Sequence, residues 1–386
     1  MRTIGAFLSL LLLAVAALWG QGAGAGTRGV SQNQPSPQAI AIEKGAKWLA
    51  SVQGADGGWG QDGGETSYVR TGERLESNGN DVANTAVAAL ALLQAGRKYQ
   101  PNVERALDFI LKNVEESPAA GLSITNRQGT QIQRKLGPYI DTFLTSMLLA
   151  RVDGTLSSAL NARVRRGLEK CVAKIEQNQL KDGSWNIAGG WAPILGTSMA
   201  SRSLFDASQK GVKVEDKVMR RAEDYTVMAL NSPAGTGVGA GVGAGAGGAV
   251  GGGILSTTAS SVAVSSASAG VPLYQTAQAL EQLTRTEADR KKNASEIARM
   301  EAQLKDARFV EGFGSVGGEE FFSYLNVSDS LQRSGAAQWK EWHAQIAQKI
   351  LNLQNSDGTW AGHHCITGRV AVTSAAILNL KFDHAN

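Results

Sequence analysis

Polar and apolar positions divide most of this chain into stretches of two kinds that take turns. In one kind, apolar residues recur every three or four positions and leave the opposite face polar. This holds for Ile42, Ala46 and Leu49 up to Gln53, and for 103–114, 160–179, 214–230, 289–308 and 337–354. Such spacing predicts amphipathic helices with one buried stripe. In the other kind nearly every position is apolar or small, as in 83–93, 139–150, 194–205, 274–283, 320–331 and 370–380. A helix that is apolar on every face must be buried on every side. The alternation therefore predicts an all-α fold of six outer/inner helix pairs, a number sufficient to close a ring. Asn80 or Asp81 can cap the first inner helix. Gly137-Pro138, Pro193, Pro272, Gly317-Gly318 and Gly368 stand before the others.

Three of the amphipathic stretches end in one phrase. It reads Gln53-Gly-Ala-Asp56-Gly57-Gly58-Trp59, then Gln179-Leu-Lys-Asp182-Gly183-Ser184-Trp185, then Gln354-Asn-Ser-Asp357-Gly358-Thr359-Trp360. Gln falls in the last turn of a helix, Asp-Gly supplies a turn, and Gly takes the left-handed conformation that stops the helix. Trp can then fold back over the junction, with its N–H reaching a carbonyl. A group repeated around a fold reads as a structural clip rather than as a catalytic residue.

The phrase Q-x-x-D-G-x-W resembles the QW motif of squalene-hopene and oxidosqualene cyclases and the related repeats of protein prenyltransferase β-subunits. The resemblance implies a terpenoid cyclase/protein prenyltransferase-like α/α toroid, with inner helices around a central cavity. It also implies where chemistry should be sought: at the starts of inner helices, facing that cavity. A prenyltransferase-like zinc would fall on His363 or His364, in the string Gly362-His363-His364-Cys365-Ile-Thr-Gly-Arg369, with Cys365 as a further ligand. The Asp-x-Cys pair of that zinc site does not occur in the chain, and Glu169-Lys-Cys171 lies in an outer-helix stretch. The D-x-D-D acid of terpene cyclases is absent as well.

Composition changes the picture in three places. Residues 1–25 have Arg2, an apolar run over 7–19 and Ala23-Gly-Ala25, the pattern of a secretory signal peptide, so the mature chain is expected to be secreted or periplasmic. The apolar run is too short to span a bilayer, so no integral membrane span is expected after cleavage. Residues 26–38 read as a linker and 39–384 as the toroid domain, interrupted by 231–270. That interruption is Gly/Ala/Ser-rich and too poor in apolar surface to offset its ordering entropy. A net charge of +4, evenly scattered, excludes nucleic acid as a partner class. Cys171 and Cys365, the two cysteines, could pair or stay free.

The candidate chemistry is small. Glu319 and Glu320 enter an inner helix and, with His363 and His364, form the candidate acid–base set; a helix dipole favours such carboxylates in any case. His364 and Cys365 are the candidate metal ligands, with zinc as the ion. Asp81, Asp141 and Arg369 are the candidate ligand contacts, although capping also accounts for the two aspartates. The leading expectation is a toroid that binds an apolar, isoprenoid-like small molecule or a peptide in its central cavity. The alternatives are an altered prenyltransferase-like or cyclase-like enzyme, a carbohydrate-active toroid using Asp56, Glu65 and Glu319, and an interaction scaffold.

Overall fold

The computed structural model describes residues 35–62, 68–70, 73–75, 79–187, 193–231, 271–312 and 317–381. The signal-peptide stretch, the linker up to residue 34, Glu65 and the low-complexity stretch from residue 232 lie outside the described residues. The fold below is that of the unit Ser36–Asn386.

Helix α1 (Pro37–Ser51) begins two residues inside the expected linker. Ser36 accepts the Ala39 N–H at 3.1 Å and Pro37 occupies the first turn, two signals that set the start. The inner helices are α2 (Val82–Ala95), α5 (Ile140–Val152), α7 (Pro193–Gln209), α9 (Val271–Leu283), α13 (Gly318–Ser334) and α15 (Arg369–Leu380). Each packs on the next in that order, and α15 packs on α2, so the circuit closes. The outer layer comprises α1, α3 (Gln100–Glu116), α6 (Ser158–Gln177), α8 (Asp216–Asn231) and α14 (Trp339–Asn352). The fold is thus an all-α toroid.

Two features depart from the expected pattern. The stretch 289–308 is three short helices, α10 (Glu287–Lys292), α11 (Ala294–Gln303) and α12 (Ala307–Val310), instead of one. Asn293 turns its side chain back onto the Asp289 carbonyl at 2.9 Å, and Asp306 caps the third piece through the Arg308 N–H. Local side-chain bonds of this kind compete with helix propagation. The polar helix α4 (Gln131–Leu136), opened by a Thr130–Gln133 capping box, was not anticipated; Thr-x-x-Gln is the signal that marks it. A hairpin of two three-residue strands, Tyr68–Arg70 and Glu73–Leu75, falls in the long loop after α1.

The three clips share one geometry. The indole N–H donates to the carbonyls of Leu49, Ile175 and Ile350 at 2.7–2.8 Å, and each Trp backbone N–H meets a threonine of the following inner helix: Thr85, Thr197 or Thr373. The Gln amide closes its own turn and also donates to the next outer helix. Gln53 reaches Asn102, Gln179 reaches Val218, and Gln354 reaches Ala41, all at 2.9 Å. The last bond joins the final outer helix to the first, so the third clip fastens the ring shut. All three rings are buried, and removing such an aromatic costs about 3–5 kcal/mol. Gly57, Gly183 and Gly358 have φ of +88°, +91° and +88°, and a Cβ on the first two would lie 2.4 and 2.0 Å from the Arg105 and Arg221 carbonyl oxygens. The motif glycine is there for backbone conformation and for close approach together.

Candidate functional site

The starts of the inner helices gather at one end of the ring and bring buried acids with them. At α13, Gly317 and Gly318 have no side chains, so the 364–366 segment lies directly against them; a Cβ on Gly318 would sit 2.7 Å from Ile366 Cβ. The Gly318 N–H donates to the Ile366 carbonyl at 3.0 Å and the Ile366 N–H returns to Glu319 Oε2 at 3.2 Å. Glu320 turns back as a cap, accepting the Gly317 N–H at 2.9 Å, and its other oxygen accepts the Tyr274 hydroxyl at 3.0 Å. His364 Nε2 stands 3.4 Å from Glu320 Oε2. Cys365 takes φ +54°, an uncommon conformation for a residue with a side chain.

The structure thus brings together Glu319, Glu320, His364 and Cys365, and adds Tyr274 from α9. His363 is exposed and stands outside the cluster. Burial raises the Glu319 carboxyl to about 7, with Glu320 adding to the rise, while its own backbone N–H, Ile366 N–H and His364 oppose it. Burial, then the Glu319 carboxylate, push the Cys365 thiol up to about 12. Glu319, His364 and Cys365 each present a donor atom, and these three atoms lie within 4.8 Å of one another. Glu319 Oε1, buried, accepts no hydrogen bond from N–H or O–H among the described residues. An oxygen, a nitrogen and a sulfur at that spacing suit a zinc ion with a fourth position open. Cys171 is buried in α6, and both cysteines are free thiols, so they do not pair.

A second acid cluster sits on α2. Asp81 caps this helix, accepting the Asn84 N–H at 2.8 Å. Asp141 stands in the first turn of α5, whose N-cap position is Tyr139, and reaches across to accept the Ala83 N–H at 3.1 Å and the Gln133 amide at 2.7 Å. Two carboxylates therefore share one helix N-terminus. Burial raises Asp81 to about 6, and burial together with the Asp81 charge raises Asp141 to about 7. The string Asp81-Val82-Ala83-Asn84 starts as D-x-D-D does, but holds Ala and Asn at the last two positions. Arg369 is engaged elsewhere: it pairs with Asp62 and Asp357 at 3.3 Å and lies over the Trp48 ring. Gln131 of α4 holds the Thr367 and Gly368 N–H groups, joining this side to the last inner helix.

Helix phase shows what faces the axis. Thr85, Thr142, Thr276, Ser328 and Thr373 point to the outer layer, since each bonds a clip, an outer loop or an outer helix. Side chains turn by about 100° per residue, so positions five further on face inward. These are Leu90, Met147, Glu281, Arg333 and Leu378, joined by Arg202 on α7, five beyond Thr197. Arg202 confirms the direction by reaching past α9 to α13, where its guanidinium meets Asp329 at 3.0 Å and Asn326 at 3.3 Å. One arc of the ring, α15–α2–α5, is apolar at this depth; the other, α7–α9–α13, is charged. The sequence reading missed the charged arc, although Arg202/Asp206, Glu281/Arg285 and Asp329/Arg333, each four residues apart across the C-terminal end of an inner stretch, were the available signal.

Residues 20–123 match the family model of the squalene-hopene cyclase C-terminal domain. The squalene–hopene cyclase of Bradyrhizobium diazoefficiens is 39% identical over 75 residues, which is 19% of this chain and 11% of that protein. A probable squalene–hopene cyclase of Sinorhizobium fredii is 38% identical over 74 residues, again 19% and 11% of the two chains. The match thus spans about a ninth of these relatives. Taken with the three Q-x-x-D-G-x-W clips and the closed inner circuit, these likenesses support the prenyltransferase/squalene-cyclase repeat superfamily, over a matched part that is less than half of the chain.

Proposed function

We propose that this chain is an exported squalene-cyclase-like toroid that binds the apolar part of a small molecule or peptide inside its ring. The observation that carries the reading is the apolar arc: Leu90 and Met147 face the axis and are only half-buried, while most apolar residues on the same helices are fully buried. Unfilled apolar surface inside a ring is what an apolar ligand would cover. The chain lacks D-x-D-D, which argues for binding over cyclisation. Among the described residues no helix is long and apolar enough to cross a membrane. Native mass spectrometry of the protein taken from its own cell envelope tests the proposal. A bound apolar adduct that is lost in Leu90→Trp or Met147→Trp is expected. A ligand-free protein found in the cytoplasmic fraction, and binding no added apolar probe, refutes it.

A second reading rests on the Glu319–His364–Cys365 triad. These residues would hold zinc, which supplies a Lewis acid and lowers the proton affinity of a coordinated thiol. Glu319 would then act as an ionised ligand, and Glu320 would orient His364 through its 3.4 Å contact. Zinc at one equivalent, lost in Cys365→Ser with the fold intact, supports this reading. No zinc uptake by the wild-type protein removes it.

A further inference from the structure

The loop that follows α3 carries a donor surface outside the ring. Two lysines of α6 gather its carbonyls. Lys174, 1% exposed, sets its ammonium on the carbonyls of Gly121 (2.9 Å), Ser123 (3.0 Å) and Ala120 (3.4 Å). Lys170 does the same for Val114 (2.7 Å), Glu115 (3.3 Å) and Ser117 (2.6 Å), and so covers the last carbonyls of α3. Three acceptors apiece match the three donors of a charged ammonium. Burial, then Lys170, hold the proton affinity of Lys174 below the ordinary lysine value, and no carboxylate offsets them among the described residues. A buried cation here lacks a counter-charge.

Peptide geometry carries that charge through the loop. In a trans peptide the N–H points opposite to the carbonyl it follows. The carbonyls of Gly121 and Ser123 face Lys174, so the N–H groups of Leu122 and Ile124 point away from it. Both residues are buried, at 3% and 1% exposed, and neither N–H has an acceptor among the described residues. Buried N–H groups without a partner are rare and ask for an acceptor. Leu122 and Ile124 line a cavity of about 270 Å³ together with Thr125 and Tyr139, whereas neither lysine lines it. Two peptide dipoles thus turn their positive ends toward one cavity, with a cation at their negative ends. The one acidic residue along it is Glu116, exposed on the last turn of α3.

We infer that this cavity is a binding site for a small oxyanion, a carboxylate or phosphate group seated on the Leu122 and Ile124 N–H groups with Lys174 as the counter-charge behind them. Such a group is acceptor-only and charged, as these donors require, whereas an ammonium would be repelled. The inference does not depend on what the ring binds.

Hydrogen exchange of the intact protein, titrated with inorganic phosphate and with acetate against chloride at matched ionic strength, tests it. Phosphate or acetate should slow exchange in 120–126 saturably, about tenfold when the anion is at about ten times its Kd. The more effective of the two identifies the group. Glu116→Gln should tighten binding about 2–5-fold, because an exposed like charge is removed. Lys174→Met should weaken it about tenfold or more, because the counter-charge is lost. If Lys174→Met does not fold, Glu116→Gln decides. Exchange that is equally slow in chloride, or protection that neither substitution alters, overturns the inference; water or an adventitious ion then serves the two N–H groups.

Discussion

Adding one methyl group at the motif glycine of each clip separates two costs that the fold imposes together. Gly183 has φ +91°, and a Cβ there would lie 2.0 Å from the Arg221 carbonyl oxygen and 2.6 Å from its carbon. Backbone cannot swing aside as a side-chain tip can, so α8 would have to move. Gly57 is next, at 2.4 Å from the Arg105 oxygen, and Gly358 mildest, at 2.9 Å from Lys44 Cβ. Gly154 is the control: its φ is +84°, yet a Cβ meets nothing within 4 Å. Gly154→Ala should therefore lose only the conformational term, about 1–2 kcal/mol. Gly183→Ala adds the overlap, a further 1–3 kcal/mol or so by analogy with overpacking. The expected order of loss is Gly183, Gly57, Gly358, Gly154. Urea unfolding followed by far-ultraviolet circular dichroism measures it, with the denaturant slope checked for two-state behaviour. If Gly183→Ala and Gly154→Ala lose the same stability, close approach of the next outer helix is not what fixes the glycine, and the reasoning fails.

Three further outcomes are expected. Gln354→Leu removes the bond to Ala41 that ties the last outer helix to the first, together with the bond to Gly358; about 1–3 kcal/mol should be lost, and hydrogen exchange should quicken in α1. An unchanged α1 exchange rate would argue against ring fastening. Asp141 and Asp81 are held neutral more readily in the fold than in the unfolded chain, at about 7 and about 6. Their contribution is fully present below the unfolded carboxylate range, near pH 4, and is lost as pH rises toward 7. Asp141→Asn should flatten that slope, read from urea midpoints at acid and neutral pH; an unaltered slope counts against the assignment. Lys174 is buried with its ammonium on the carbonyls of Gly121 (2.9 Å), Ser123 (3.0 Å) and Ala120 (3.4 Å). Lys174→Met leaves those acceptors unmatched, so a loss of about 2–4 kcal/mol is expected, with faster proteolysis in 117–126; a neutral result would show that water serves as well.

Much of the architecture was legible in one dimension because helix burial has a linear signature. A stripe recurring every three to four residues marks a helix with one buried face, and an all-apolar run marks one enclosed on every side. The chain writes these as two distinct vocabularies, of which α3 and α2 are the clearest instances. The clips were legible for a similar reason, since Gln, Asp, Gly and Trp act within seven residues of each other. What lay beyond that span was not: the reach of Gln354 to Ala41 crosses 313 positions. The break of 289–308 into three helices also escaped, because Asn293 and Asp306 compete with the helix through bonds of their own side chains.

The mouth and the lumen were decided in three dimensions. Sequence placed Glu319, Glu320, His364 and Cys365 at helix starts, but their meeting depends on Gly317 and Gly318 admitting the 364–366 segment against α13. It placed Asp81 and Asp141 as separate caps, whereas packing of α5 on α2 turns them into a buried pair in which the Asp81 charge adds to the rise of Asp141. The division of the ring into apolar and charged arcs is likewise a property of closure. Each helix carries its own five-residue offset from the outer-facing hydroxyl, and only the circuit of six sets the helices of Leu90, Met147 and Leu378 side by side and those of Arg202, Glu281 and Arg333 side by side. Local patterning sets which face of a helix is buried; what that face meets is fixed by neighbours the pattern does not encode.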